Sequence, residues 1–281
     1  MNTPRQTRVF LLILASATAL PAQVDAVEIV RRAVAADQRN WAAARNYVFS
    51  ERVDARRLDT EGRLKSRDVK IYDVMLLDGS PYRRLAGRND RPLPPADEKK
   101  EQEKLAKSTV ERRKESGVER ALRLAEYASR PEWQREAWRD LPEAFDFRFA
   151  AEELQDGRRL YVIHASPRQG YAPRSSTAKV LVRLQCKLWV DKQDYQLMKA
   201  EVEAIDTISL GLFLVRLAKG SRATFEQTRV NDEVWLPRQV RAFATIRLGL
   251  LKVLHIEQEI SYSKRREFQA DSPTIARAEA R

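Results

Sequence analysis

Over Lys187–Tyr262 segment after segment alternates apolar and polar residues, as a run of paired strands does. Cys186, Leu188 and Val190 alternate with Lys187, Trp189 and Asp191. A polar corner, Asp191–Lys192–Gln193–Asp194, follows, and Met198, Ala200, Val202 and Ala204 then alternate with Lys199, Glu201 and Glu203. This is the pattern of half-buried strands joined by turn chemistry. It repeats over Arg222–Val230, the turn at Asn231–Asp232 and Val234–Arg247. After Gly249 it returns, with Leu254, Ile256, Ile260 and Tyr262 against Val253, His255, Glu257 and Glu259. Tight connections make such neighbours antiparallel.

Upstream, Asp25–Asn46 predicts a helix. Asp25 and Glu28 stand at capping-box spacing, and Val27, Val30, Val34 and Trp41 recur on one stripe. Asn46–Asp54, Ser66–Leu77 and Ser80–Ala86 predict strands, with Asp78-Gly79 as the turn between the last two and Gly87–Pro95 as a loop. Asp97–Tyr127 predicts a charged helix capped by Asp97, with a thin apolar stripe of Leu105, Val118, Leu122 and Ala125 and a break at Gly117. A surface helix is the plainer reading of it and a movable lid the functional one. Ser129 with Glu132 predicts the start of a short helix through Leu141, with Trp133, Ala137 and Trp138 turned inward.

Phe145–Leu154 and Arg158–Ser166 predict a hairpin around Asp156-Gly157, and Pro167–Ala178 a polar loop. Ile208–Ala218 is apolar on both faces and too short to cross a membrane. It reads as a strand buried on both sides or as a segment that meets something greasy.

Met1–Ala22 has the parts of a secretory leader: Arg5 and Arg8, an apolar run Val9–Leu20, and small residues at Ala17-Thr18-Ala19 and at Ala22. No cysteine follows either cleavage candidate, so no lipid anchor is expected there. The expected organisation is a signal peptide over 1–22, a single domain over 23–268 with a helical insertion over 97–141, and a polar, frayed tail over 269–281. The expected location is periplasmic or secreted.

Composition adds bounds. The chain has 281 residues, 43% hydrophobic and 33% charged, which suits one large domain or two small ones. Its formal charge of +12 calls for anionic neighbours such as nucleic acid, lipid head groups or cell-wall polymers. Export argues against nucleic acid and leaves peripheral contact with an anionic membrane surface. A single cysteine, Cys186, excludes an internal disulfide and reads as a buried thiol. Two histidines with it are too few for a zinc site.

The chain carries no G-x-S-x-G, Walker, G-x-G-x-x-G or H-E-x-x-H pattern. His255 shares a face with Glu257 and Glu259, as an oriented base would, and a solvated polar face explains it better. Glu152 and Glu153 point to opposite faces of one strand, which argues against paired-carboxylate chemistry. Arg83-Arg84 with Arg88 and Arg91 makes a basic cluster at a loop mouth. No catalytic, metal or cofactor site is expected, and the chain reads as a non-enzyme.

Two segments carry a resemblance: Lys187-Leu188-Trp189-Val190-Asp191-Lys192 with Leu197-Met198-Lys199-Ala200-Glu201-Val202, and Glu233-Val234-Trp235-Leu236-Pro237-Arg238. With the leader, the first helix and the closing meander, they resemble the LolA-type superfamily of periplasmic carriers, which includes lipoprotein-sorting proteins and RseB-type sigma-factor regulators. The resemblance implies an α+β fold: a curved antiparallel sheet, an incomplete β-barrel, around a hydrophobic concavity covered by the N-terminal helix and the insertion. It implies a passive carrier for a lipid or lipoprotein acyl chain, or a sensor that binds another envelope protein such as an anti-sigma factor. The candidate lining residues are Trp189, Leu212, Phe213, Leu214, Trp235 and Phe243.

Overall fold

The computed structural model describes residues 24–129, 131–210, 215–249 and 252–267. The leader, the tail, and Leu212, Phe213 and Leu214 lie outside the described residues.

The chain opens with helix α1 (Ala26–Ala44). Strands β1 (Tyr47–Leu58), β2 (Leu64–Leu77), β3 (Ser80–Arg88) and the two-residue β4 (Arg91–Pro92) follow. The insertion is α2 (Pro95–Lys114), α3 (Gly117–Ala128) and α4 (Glu132–Ala144). Then come β5 (Phe145–Gln155), β6 (Arg158–Pro167), a short α5 (Ser176–Leu181), β7 (Leu184–Asp191) and β8 (Leu197–Ala204). A small hairpin, β9 (Ile208–Leu210) and β10 (Val215–Leu217), precedes the long closing strands β11 (Arg222–Val230), β12 (Val234–Leu248) and β13 (Lys252–Glu267).

All the strands join one antiparallel sheet in the order β4-β3-β2-β1-β13-β12-β11-β8-β7-β6-β5, with β9 and β10 attached beside β12. The outermost strands β4 and β5 do not pair with each other, so the sheet stays open as an incomplete barrel. The first and last long strands lie side by side, β1 against β13. That pairing joins segments from opposite ends of the described chain in the middle of the sheet.

Helix α1 starts where the sequence predicts, because the Asp25 carboxylate accepts from the Val27 and Glu28 amides. Glu28 does not complete a box; it pairs with Arg32 one turn on. The buried stripe of α1 is Ala26, Ile29, Val30, Ala33 and Ala36, which packs on Ile163 and Val190 with Phe147, Phe149 and Leu188 around them. Of the expected stripe only Val30 is fully buried. The small alanines let the helix axis approach the sheet closely, and that turns Val27, Val34 and Trp41 toward the flank.

The insertion departs from expectation in its caps and its faces. Pro94 and Pro95 start α2, and Asp97 sits inside the first turn, where its charge suits the helix dipole. Ser116 caps α3 with Glu119 in a reciprocal box, so the break falls beside Gly117. Ser129 is the C-cap of α3, not the start of α4, which begins after Pro131 and runs on to Ala144 through Pro142. Val118 and Leu122 are exposed (71% and 66%), as is Trp133 (60%). Instead Leu124 packs near the Gly79 turn, where an added Cβ would lie 3.0 Å from its Cδ2. Polar side chains fasten α3: Arg123 donates to Ser80 Oγ (2.6 Å) and the Asp78 carbonyl (3.2 Å), Tyr127 to the Arg45 carbonyl, and Trp41 Nε1 to the Ala128 carbonyl (3.1 Å).

Helix α2 covers the outer edge of β3. Glu101 accepts from the Leu85 amide (3.4 Å), and Arg112 donates to the Ser80 and Pro81 carbonyls (3.0 and 3.1 Å). An exposed strand edge is thereby closed to foreign strands. The segment expected to be a loop over 167–178 ends in α5, capped by Ser175.

Candidate functional site

Residues directly opposite in neighbouring antiparallel strands share a face of the sheet. Following the register across the strands therefore sorts the side chains. One row runs Val53, Ile260, Val240, Phe225, Ala200, Leu188, Ile163. The parallel row two residues away runs Ala55, Gln258, Ala242, Ala223, Val202, Cys186, Ala165. Ala200 aside, the first row carries the larger apolar side chains and makes a ridge. The second is mostly small and makes a trough, which Gln258 interrupts between Ala55 and Ala242. Both run at right angles to the strands.

Cover on this apolar face is uneven. Toward β6 it disappears under α1, with Ala200 8% and Ile163 0% exposed. Over β1, β13, β12 and β11, Val53, Ile260, Val240 and Phe225 are only half-buried, and Gln258 is exposed. None of these joins a buried cluster among the described residues. Among the described residues this half-buried part of the face crosses four strands, roughly 14 Å at about 4.8 Å per strand.

The opposite face is charged. Its rows run Asp54, Glu259, Arg241, Thr224, Glu201, Lys187 and Arg56, Glu257, Phe243, Arg222, Glu203, Gln185. Asp54, 2% exposed at its side chain, pairs with Arg67, Arg56 and Arg52, and the hydrogen bonds from Arg67 first and Arg56 next hold its carboxyl far below the usual carboxylate range. A shallow hollow of about 330 Å³ opens on this face, lined by Arg56, Arg222, Arg241, Phe243, Glu257 and Glu259. Its mixed charges pair largely with one another, as Arg241 does with Glu259 (3.7 Å) and Arg56 with Glu257 (3.9 Å).

The sequence-derived candidates divide accordingly. Trp189 and Trp235 come together, but on the charged face, buried with Leu160, Val162 and Met198. Lys187 and Lys199 lie over the Trp189 ring (4.5 and 4.4 Å to its centroid), and its indole N–H donates to Glu153 (2.8 Å). The Trp235 indole N–H donates to Asp194 (2.9 Å) and its backbone makes both hydrogen bonds with the Asn40 amide. Phe243 stands apart from both, under Arg222 (5.2 Å). Alternation explains Trp189 and Phe243, which occupy polar-phase positions of their strands; Trp235 lies beyond the register shift opposite Glu226 and Gln227 and is placed by its packing with Trp189. Leu212, Phe213 and Leu214 fall between β9 and β10, outside the described residues.

Sequence reasoning expected an apolar concavity but named none of Val53, Ala55, Ala223, Phe225, Val240, Ala242 and Ile260 as lining it, because such residues carry no individual signal. Their alternation was visible, and their shared exposure was not. Arg83 and Arg84 are committed rather than free: Arg83 to Glu51 and Arg84 to Glu98 and Asp73. His255 Nδ1 meets Thr245 Oγ1 (3.0 Å). Burial pushes the Cys186 thiol up to about 12. Among the described residues no three His, Cys, Asp or Glu side chains are grouped to hold a metal ion, and no helix is long and apolar enough to cross a membrane.

No protein-family model matches the chain, and no curated protein matches it. Solved structures do. An outer membrane lipoprotein-sorting protein domain from Vibrio parahaemolyticus is 10% identical, with 89% of this chain and 99% of that one covered and a TM-score of 0.34. A LolA superfamily protein from Nitrosomonas europaea is 12% identical, with 88% and 95% covered and a TM-score of 0.31. A DUF1329 family protein from Desulfovibrio piger is 14% identical, with 89% and 97% covered and a TM-score of 0.32.

Proposed function

We propose that the protein is a non-enzymatic carrier or binding protein of the cell envelope that takes lipid or lipoprotein acyl chains on the apolar face of its sheet. One observation carries the reading. The ridge of Val53, Ile260, Val240 and Phe225 and the trough of Ala55, Ala242 and Ala223 are apolar yet only half-buried. Water against such a surface is costly, and each CH₂ laid on it contributes up to about 0.8 kcal/mol. An acyl chain needs length and low polarity, which the ridge and the alanines on either side of Gln258 offer. Leu212, Phe213 and Leu214, apolar in a segment that is apolar on both faces, are proposed as further contacts with the acyl chain. Trp189 and Trp235 support the sheet from its other side. The leader pattern supports an envelope location.

Displacement of a bound naphthylamine fluorophore by palmitate tests the reading. Wild type is expected to bind fluorophore and release it to palmitate, with little effect of salt. The Val240→Asp and Ala242→Asp double variant, checked for an unchanged fold by circular dichroism, is expected to lose binding tenfold or more. Full binding by that variant, or none by wild type, overturns the proposal.

A second reading, a sensor that binds another envelope protein, is favoured by Val118, Leu122 and Trp133, which the insertion holds outward (71%, 66% and 60% exposed). Native mass spectrometry of protein taken from its own periplasm separates the two. Co-purifying lipid supports the carrier, and lipid-free protein with a stoichiometric protein partner supports the sensor.

A further inference from the structure

One ion pair stands at the end of the ridge, where β1, β2 and β13 meet. Glu51 lies directly opposite Tyr72 in one register and Tyr262 in the other, so all three side chains rise from the apolar face. The Glu51 carboxylate accepts from Arg83 Nη2 (2.8 Å) and Nε (3.1 Å). The Arg83 guanidinium sits 3.4 Å from the Tyr72 ring centroid, and Phe49 meets Tyr262 edge-on at 5.4 Å. Glu51 is two residues from Val53 on the same strand and the same face.

The two partners are unequally exposed, 14% for the Glu51 side chain and 46% for Arg83. A sheltered carboxylate that loses its cation is penalised, whereas an exposed guanidinium gives up its partner at little cost. The pair therefore opens readily only for a ligand that returns a positive charge to Glu51. A carboxylate beside aromatic rings is the chemistry that holds an alkylammonium group. The Arg83 fork, once released, matches the oxygens of a phosphodiester.

We propose that Glu51, Tyr72, Tyr262 and Arg83 form a head-group subsite for a zwitterionic phosphoamine amphiphile. Its ammonium replaces the Arg83 guanidinium at Glu51 and Tyr72, and its phosphate pairs with Arg83. The proposal rests on the acyl-chain reading above and adds a choice of head group to it. A purely anionic head would draw Arg83 away and strand Glu51, so it binds less well. A neutral head leaves the pair closed and gains only from its chain.

The test uses three single-chain amphiphiles with one common acyl chain, each below its micelle concentration: lysophosphatidylethanolamine, lysophosphatidylglycerol and monoacylglycerol. Each displaces the naphthylamine fluorophore from the full-length protein. Wild type is expected to prefer the ethanolamine lipid to the glycerol phospholipid tenfold or more. Glu51→Gln is expected to abolish that preference and leave monoacylglycerol binding unchanged. The double variant Glu51→Gln with Arg83→Met, which removes both charges together and so strands neither, is expected to bind all three alike. Equal wild-type affinity for the two phospholipids, or a preference that survives Glu51→Gln, overturns the subsite while the acyl face stands. Failure of wild type to bind monoacylglycerol overturns the acyl face and the subsite with it.

Discussion

Arg67 reaches across the β1–β2 pair to both carboxylate oxygens of Asp54, the shortest contact being 2.6 Å. Arg56 donates to the same carboxylate from the same strand, so a single sheltered acid organises several cations on the charged face. The side-chain hydrogen bond from Arg67 is the largest cause of the lowered Asp54 pKa, with those from Arg56 next among the lowering causes.

The acid dependence of stability follows from that shift. The folded-state pKa is depressed, so the stabilisation is complete above the ordinary carboxylate value of about 3.9 and is lost as pH falls from there toward the folded value. Asp54→Asn is expected to lower stability at pH 7 by about 1–3 kcal/mol. Urea midpoints of wild type and variant should converge as pH drops from about 5 to below 3. Midpoints that stay parallel would refute the assignment.

Helix α3 depends on its cap and on Arg123. Arg123 ties Glu115 (2.7 Å) to Ser80 (2.6 Å), and Ser116 accepts from the Glu119 amide (3.3 Å). Ser116→Ala is expected to cost about 1 kcal/mol in local helix stability. Arg123→Ala should speed amide hydrogen exchange across 117–128 and leave exchange in β1 and β13 unchanged. Uniform acceleration through the sheet would show that the insertion is part of the global folding unit.

Cys186 sits beside Phe145 and Ala165, and its thiol is raised by burial alone. Thiolate, not thiol, reacts with disulfide reagents. Ellman's reagent is therefore expected to leave native protein untouched at pH 8 and to modify it at the rate of unfolding in denaturant. Rapid modification without denaturant would contradict the packing.

Trp189 is buried with Leu160, Val162 and Met198. Trp189→Ala is expected to cost about 3–5 kcal/mol, from loss of packing against Leu160, Val162 and Met198. At a temperature where the variant remains folded, its palmitate affinity should match that of wild type. Tenfold weaker binding by folded variant would return Trp189 to the ligand site.

Gly87 has a different role, at the β3–β4 corner. A Cβ there would lie 2.6 Å from the Arg91 carbonyl oxygen. Gly87→Ala should open that corner and cost about 1–3 kcal/mol, read as a drop in melting temperature. An unchanged melting temperature would mean that β4 moves aside freely.

Much of the sheet was legible because strands and turns are local events. Asp78-Gly79 and Asp156-Gly157 adopt the positive φ angles that such turns need (44° and 82°, 50° and 77°), and their flanking strands begin within two residues of expectation. Helix faces were less legible. The α1 stripe shifted because alanines allow a closer approach than valines do. The α3 stripe turned outward because Arg123 and Tyr127 found better partners than Val118 and Leu122 did. The candidate site was legible only in part. Trp189, Trp235 and Phe243 drew attention as large aromatics, yet side-chain size says nothing about which layer covers a strand.

The residues in their order settled that this chain makes two-sided antiparallel strands, since alternation and turn chemistry act over a few neighbours. Tertiary structure alone chose that β13 lies against β1, which brings Tyr262 next to Glu51. It also chose how far α1 reaches across the apolar face. Both choices come from packing between distant segments, whose energies depend on shape and distance in space and leave no trace in local spacing.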